Sequence, residues 1–164
     1  MNIIIHRGTH QIGGSAIEIS TASTRIILDF GNELSLDEKY IPINLDIDGV
    51  TKGMPDCDGI VISHYHIDHL GQLTSALPEI PLYMGKLSKE VAMIATEHQD
   101  KDLYLRLLGA NTFRGGEAFT IGNIHIRPLV IDHSAVDSYM FVIEAEGKRV
   151  LYTGDFRMHR SEEH

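Results

Sequence analysis

Gly59-Ile60-Val61-Ile62-Ser63-His64-Tyr65-His66-Ile67-Asp68-His69-Leu70-Gly71 starts as an apolar run and ends in a dense group of ligand-type side chains. A short, continuous apolar run is the pattern of a strand buried on both faces. At the end of such a strand His64 and His66, two residues apart, project to the same side, and Tyr65 projects to the other. Asp68 and His69 follow in the turn into a helix expected over 69–77, which Pro78 stops. Imidazole nitrogens and carboxylate oxygens are the ligands of zinc and its borderline neighbours. A single histidine is ordinarily a surface or structural residue. Three histidines and an aspartate leaving one buried strand need a common partner, and a metal ion supplies one.

Working outward, Asn2 to His6 and Arg25 to Phe30 are rich in β-branched residues, and Ser15 to Ser20 alternates polar and apolar. All three segments predict strands. Residues 31–56 carry Pro42, Gly49, Gly53 and Pro55 and read as a long loop with room for a short helix. Pro81 to Met84 predicts a strand. Lys86 to His98 predicts a helix with Leu87, Val91 and Ile94 on its core face, and 102–108 a second, ended by Gly109. Gly115-Gly116 is a turn. Ile124 to Ile131 predicts a strand with Ile126, Leu129 and Ile131 inward. Tyr139 to Glu144 and Arg149 to Thr153, joined at Glu146-Gly147-Lys148, predict a hairpin. Residues 1–164 therefore read as one α/β domain, with strands layered under helices.

Composition narrows the partners. The chain has 43% hydrophobic and 23% charged residues, ordinary for a globular protein, and a net charge of -9. Phosphate backbones are bound by Lys and Arg, so an acidic chain is a poor non-specific nucleic-acid binder unless bound cations offset its charge. The lone cysteine, Cys57, gives no disulfide framework and is expected to be a bystander. The apolar run Ile3-Ile4-Ile5 is too short for a signal-peptide core, and no run is long enough to span a membrane. The expected location is the cytoplasm.

Other chemistry-bearing residues lack a pattern. His6, His10, His98, His125, His159 and His164 have no partner spacing and read as surface or structural. Asp46, Asp48, Asp56 and Asp58 lack the spacing of a calcium loop and read as a solvated acidic stretch. Gly13-Gly14 has no Lys-Ser/Thr sequel and is no phosphate-binding loop. Ser134 and Asp137 read either as a polar turn or as residues that contact substrate or orient His133.

The segment Ile62 to Gly71 resembles the His-x-His-x-Asp-His motif of the metallo-β-lactamase superfamily. Asp132-His133-Ser134 is similar to that superfamily's next metal-binding histidine, and Tyr152-Thr153-Gly154-Asp155-Phe156 to its bridging aspartate. Gly13-Gly14-Ser15 and Leu28-Asp29-Phe30-Gly31 are similar to its opening strands. His133-Ser134-Ala135-Val136-Asp137-Ser138, together with Tyr152 to Arg157, further resembles the ribonuclease J-like members of the β-CASP branch. The resemblance implies the αββα metallo-β-lactamase fold and a two-metal site. In it His64, His66 and His133 hold one ion, Asp68 and His69 hold the second, and Asp155 bridges. The implied metal is zinc, with manganese or iron as alternatives. Ion-activated water would then be the nucleophile, with no catalytic Ser or Cys. The implied substrate is an RNA or DNA phosphodiester.

Two features depart from the pattern. The superfamily's late histidine, far downstream of the bridging aspartate, and the β-CASP insertion have no counterpart here. The fold is therefore expected to be incomplete, mainly its N-terminal half, as a fragment or as a chain that completes itself by dimerisation or domain swapping. Two other functions stay open: hydrolysis of small esters, thioesters or lactones, and a catalytically silent metal-binding module.

Overall fold

Two β-sheets face each other in the structure, a computed structural model that describes residues 1–35, 37 and 41–157. The first sheet has six strands in the order β1 (Asn2–Arg7), β2 (Ala16–Ser20), β3 (Arg25–Leu28), β4 (Gly59–Ile62), β5 (Leu82–Gly85) and β6 (Asn111–Phe113). β1, β2 and β3 form an antiparallel meander, and β3 to β6 run parallel. The second sheet is antiparallel, ordered β10 (Lys148–Tyr152), β9 (Tyr139–Ala145), β8 (Ile124–Val130), β7 (Phe119–Ile121).

Alternation along the strands builds the core between the sheets. Ile19, Ile26, Leu28 and Val61 from the first sheet meet Ile121, Ile124, Ile126, Phe141 and Ile143 from the second. Burying side chains of this size stabilises by roughly 1.5–3 kcal/mol each. The opposite face of the first sheet, through Ile27, Ile60, Ile62, Leu82 and Met84, is covered by α1 (Ile67–Leu70), α2 (Lys86–Thr96) and α3 (Lys101–Leu108). This double coverage explains why all four residues of β4 are buried. Among the described residues the layers are thus helix, sheet, sheet: three of the four layers of the αββα sandwich that the motifs imply.

Several elements differ from expectation. The helix expected over 69–77 is only the short α1, followed by a run of turns. It begins earlier, so Asp68 and His69 lie on the helix itself. The small side chains Ser88 and Ala92 bring α2 close to the sheet, which leaves Leu87 and Ile94 largely exposed. In β8 the inward positions are Ile124, Ile126 and Pro128. Leu129 falls on the outer face, and Ile131 lies past the strand's end. Pro128 is tolerated because it lies beyond the part of β8 that pairs with β7, whose register ends at Phe119 opposite Ile126. β6 and β7 were not foreseen; each has three residues, too few to show a period. His159 and His164 lie outside the described residues. No helix among the described residues is long and apolar enough to cross a membrane.

Candidate metal centre

Parallel pairing of β3 with β4, with Leu28 opposite Val61, brings the carboxyl ends of both strands side by side. Ligand sites of open α/β sheets form at such ends. Here they deliver Asp29 from one strand and Ser63-His64 from the other, all buried. The chain then turns at His66, whose carbonyl accepts from His69 N at 2.9 Å and Leu70 N at 3.1 Å, opening α1. The glycines noted in the sequence have a steric role at this turn. Gly14 N and Ser15 N both donate to the Asp68 carbonyl at 3.1 Å. A Cβ on Gly31 would lie 1.6 Å from that oxygen, and one on Gly13 would lie 2.7 Å from the Asp68 Cβ. Only bare backbone can cross Asp68 on both sides.

All six residues singled out in the sequence meet at this point. His66 Nδ1 lies 3.1 Å from His64 Nε2 and 3.2 Å from His133 Nε2. His69 Nε2 lies 3.5 Å from Asp68 Oδ2 and 3.5 Å from Asp155 Oδ1. Asp155 Oδ2 faces His133 Nε2 at 3.9 Å. Two triads therefore share one ring, His64–His66–His133 and His64–His69–Asp155, with the ligand atoms of each within 4.8 Å of one another. Asp155 has one oxygen toward His69 and the other toward His133, a position between the two groups.

Beneath them lies a support that the sequence reading did not single out. Asp29 is fully buried, and its carboxylate accepts from Ser63 N, Ser63 Oγ and His69 Nδ1 at 2.7 Å each and from Tyr152 OH at 2.5 Å. An ionised carboxylate only accepts, so the Ser63 hydroxyl spends its proton on Asp29 and must accept from His64 Nδ1, 3.0 Å away. Nδ1 of both His64 and His69 thus carries a proton; His64 Nε2 points its lone pair at the cluster, and His69 Nε2 can do so once the ring gives up its second proton, the arrangement that orients metal-ligating histidines. Burial works against the charged form of Asp29, but the His69 charge and these hydrogen bonds hold its carboxyl below the usual range. Burial also opposes protonation of His69, yet Asp29 overrides it and holds the ring at about 9. Burial and the charge on His69 push His64 down to about 3. His133 is lowered as well, by burial that outweighs the pull of Asp155.

The donor set fits divalent ions. His69 Nε2 is buried without a hydrogen-bond partner, flanked by two carboxylates, and three further imidazoles crowd nitrogen against nitrogen. A divalent cation that accepts the imidazole lone pairs, and displaces the Nε2 proton of His69 to do so, removes both anomalies.

The remaining candidates lie elsewhere or act otherwise. His6 pairs with Glu18 at 2.9 Å, and His10, His98 and His125 are exposed. Asp46 and Asp48 pair with Lys52, while Asp56 and Asp58 engage Arg25. The Cys57 thiol is pushed up to about 11 by burial, unsuited to a nucleophile. Ser134 is exposed, and Asp137 turns away to the start of α2.

Residues 25–164 match the family described as β-lactamase superfamily domain. The chain belongs to that superfamily. Among relatives in the superfamily, ribonuclease J of Helicobacter pylori (strain ATCC 700392 / 26695) is 25% identical over 168 aligned positions, which cover 92% of this chain and 22% of that protein. The chain thus spans about a fifth of the length of that relative. A protein of unknown function from Enterococcus faecalis V583 superposes with a TM-score of 0.80 at 22% identity, over 96% of this chain and 44% of the other. The metallo-β-lactamase fold protein YhfI from Bacillus subtilis superposes with a TM-score of 0.61 at 17% identity, over 92% and 61% of the two chains. The fold is that of the metallo-β-lactamase superfamily, present in part.

Proposed function

We propose that this chain is the metal-binding part of a two-metal hydrolase that cuts RNA phosphodiesters. His64, His66 and His133 would hold one ion, Asp68 and His69 the second, and Asp155 would lie between both. The observation that carries the reading is the convergence of four imidazoles and two carboxylates, with the buried His69 Nε2 unsatisfied among them. Bound divalent ions, zinc in the first instance, would lower the pKa of water toward about 7 and offset phosphate charge. This chain's own residues supply orientation. Ser63 and Asp29 fix the rings of His64 and His69, and Asp155, half-exposed, is the member of the cluster most open to solvent. The similarity to ribonuclease J favours a phosphodiester over a small ester. An acidic chain approaching an acidic polymer also needs the ions for charge balance.

The test joins elemental analysis of the purified chain to turnover assays on 5′-phosphorylated RNA and on a panel of thioesters and lactones. Two ions per chain with RNA cleavage supports the reading. Turnover of the small substrates alone moves the assignment to a small-ester hydrolase, and metal binding without turnover of either leaves a silent metal module. His66→Ala is expected to lose the ion at the three-histidine cluster and any hydrolysis. Undiminished turnover in that variant would refute the site.

A further inference from the structure

The loop 131–138, which carries His133, is closed at its base by a hydrogen bond from Ile131 N to Ser138 O at 3.1 Å. Inside it, Ser138 Oγ donates to Ala135 O at 2.7 Å. One outside tether, Tyr139 N to Ser63 O at 3.1 Å, ties its end to the residue before His64. Another, Arg157 N to Asp132 O at 2.9 Å, ties its start to the segment after Asp155.

A third tether, Val136 N to the Tyr65 hydroxyl at 3.4 Å, reaches the residue between His64 and His66, and Asp137 supplies a fourth. Its backbone is left-handed, with φ 62°, and aims the carboxylate at α2. Oδ2 accepts from Leu87 N at 2.8 Å and Ser88 N at 3.1 Å, and Oδ1 accepts from the Tyr139 hydroxyl. α2 needs such a group. Its N-cap, Gly85, has no side chain, and its first turn holds no acidic residue, so its leading N–H groups find their anion in Asp137. The fit is tight: a Cβ on Gly85 would lie 2.5 Å from Asp137 Oδ2 and 2.5 Å from the Tyr139 ring. α2 is a firm anchor, since Ser88 and Ala92 are buried and the helix follows β5, the parallel neighbour of β4.

We propose that Asp137 is a positioning residue: seated on the N-terminus of α2, it fixes the loop that holds His133 against His64 and His66. His64 and His66 follow the first sheet, whereas His133 lies between two strands of the second. The Tyr139 N–Ser63 O bond ties only the end of the loop to the first sheet; Asp137, within the loop, ties it to the helix that follows β5 and so adds to the restraint on the distance of the third ring from the other two. This inference rests on the metal centre proposed above.

Three variants test it. Asp137→Gly removes the carboxylate and suits the left-handed backbone. Asp137→Asn keeps the geometry, with the amide oxygen toward α2 and the amide N–H toward the Tyr139 oxygen. Leu87→Pro deletes one donor from the helix side, in the first turn where proline is tolerated. Cobalt(II) affinity and visible absorption would be measured on folded protein, together with the imidazole nitrogen resonances of the metal-free chain. Asp137→Gly and Leu87→Pro should weaken cobalt binding about tenfold, the lower end of the effect of losing a direct hydrogen-bond partner of a metal ligand, and change the absorption band. They should shift the His133 resonances and leave those of His6 and His125 in place. Asp137→Asn should restore both readouts. A folded Asp137→Gly with wild-type affinity, spectrum and His133 resonances overturns the proposal. If that variant does not fold, Leu87→Pro decides by the same criteria. A wild-type chain that binds no cobalt refutes the metal centre itself, and unmoved His133 resonances in the metal-free variants would still refute the tether.

Discussion

Replacing Asp29 with asparagine tests the core of the electrostatic argument. The carboxylate accepts four hydrogen bonds while fully buried, and one of its donors is the cationic ring of His69. An amide of the same shape loses the charge and presents an NH2 group where every neighbour donates. Ser63 and Tyr152 can turn their hydroxyls and accept instead. His69 can do so only by giving up its Nδ1 proton, which leaves its remaining proton on Nε2, the atom facing Asp68 and Asp155. Breaking a buried pair by removing one partner costs about 3–5 kcal/mol, against a total stability of about 5–15 kcal/mol for a domain. With a urea dependence of about 2 kcal/mol/M, the unfolding midpoint should fall by about 1.5–2.5 M. Circular dichroism in urea with EDTA present measures this. Asp56→Asn is the control: its side chain is 85% exposed, and it should change stability by no more than about 0.5 kcal/mol. A midpoint shift in Asp29→Asn below about 0.5 M, with the His69 proton still on Nδ1 by nitrogen NMR, would show that the pair contributes little and that something else sets the ring.

The metal-free chain should be most stable near pH 6.5, roughly the unfolded histidine value. His69, held at about 9 by Asp29 against the effect of burial, contributes stability that is complete below that pH and lost as pH rises through 9. His64, pushed to about 3 by burial and the His69 charge, stays neutral while the unfolded chain protonates, so stability also falls from there toward pH 3. Urea midpoints that stay flat between pH 6.5 and 9 would contradict this. Zinc uptake near pH 7.5 should release about one proton per chain, from His69, as read by calorimetry in buffers of different ionisation enthalpy; no release would mean that the ring was already neutral. Gly31→Ala should cost at least about 3 kcal/mol, because its Cβ would lie 1.6 Å from the Asp68 carbonyl oxygen; a soluble variant of normal stability would refute the crossing geometry. Cys57, with its thiol pushed to about 11, should resist iodoacetamide at neutral pH until urea unfolds the chain, whereas rapid labelling of the native protein would show the thiol to be accessible.

The strand from Gly59 and the helix from Lys86 lie where the sequence puts them, whereas the helix expected over 69–77 shrinks to α1. The run from Gly59 to Gly71 combines an apolar strand with a dense group of ligand-type side chains; the strand forms, and His64, His66 and His69 converge at its end. His133 and Asp155 could be paired with it only through the family resemblance, because nothing local links positions so far apart; the structure brings them to the same point. Asp29 went unread for a related reason. A lone aspartate after a strand looks like a turn residue until the parallel pairing of β3 with β4 shows what faces it. Its one available signal was a carboxylate at the end of an apolar strand next to Phe30-Gly31. The misjudged face of α2 has a different origin. Apolar periodicity marks a greasy stripe, whereas Ser88 and Ala92 contact the sheet because they are small. Asp137 was noticed, but its partner was not legible, since a helix N-terminus has no side-chain signature when its N-cap is glycine.

The six clustered side chains do not come from one layer. Four follow β4 of the first sheet, while His133 and Asp155 come from the ends of β8 and β10 of the second. An ion held by both sets would act as a rivet through the sandwich, fastening residue 64 to residue 155 across the inter-sheet core. Metal supply and folding would then be one linked equilibrium: a free-ion concentration of 100 times Kd would add about 2.7 kcal/mol to the native state. Starvation for the ion would be felt first as slackening between the layers, and so as faster turnover of the protein by proteases, at a concentration where chemistry at the site had only begun to fail.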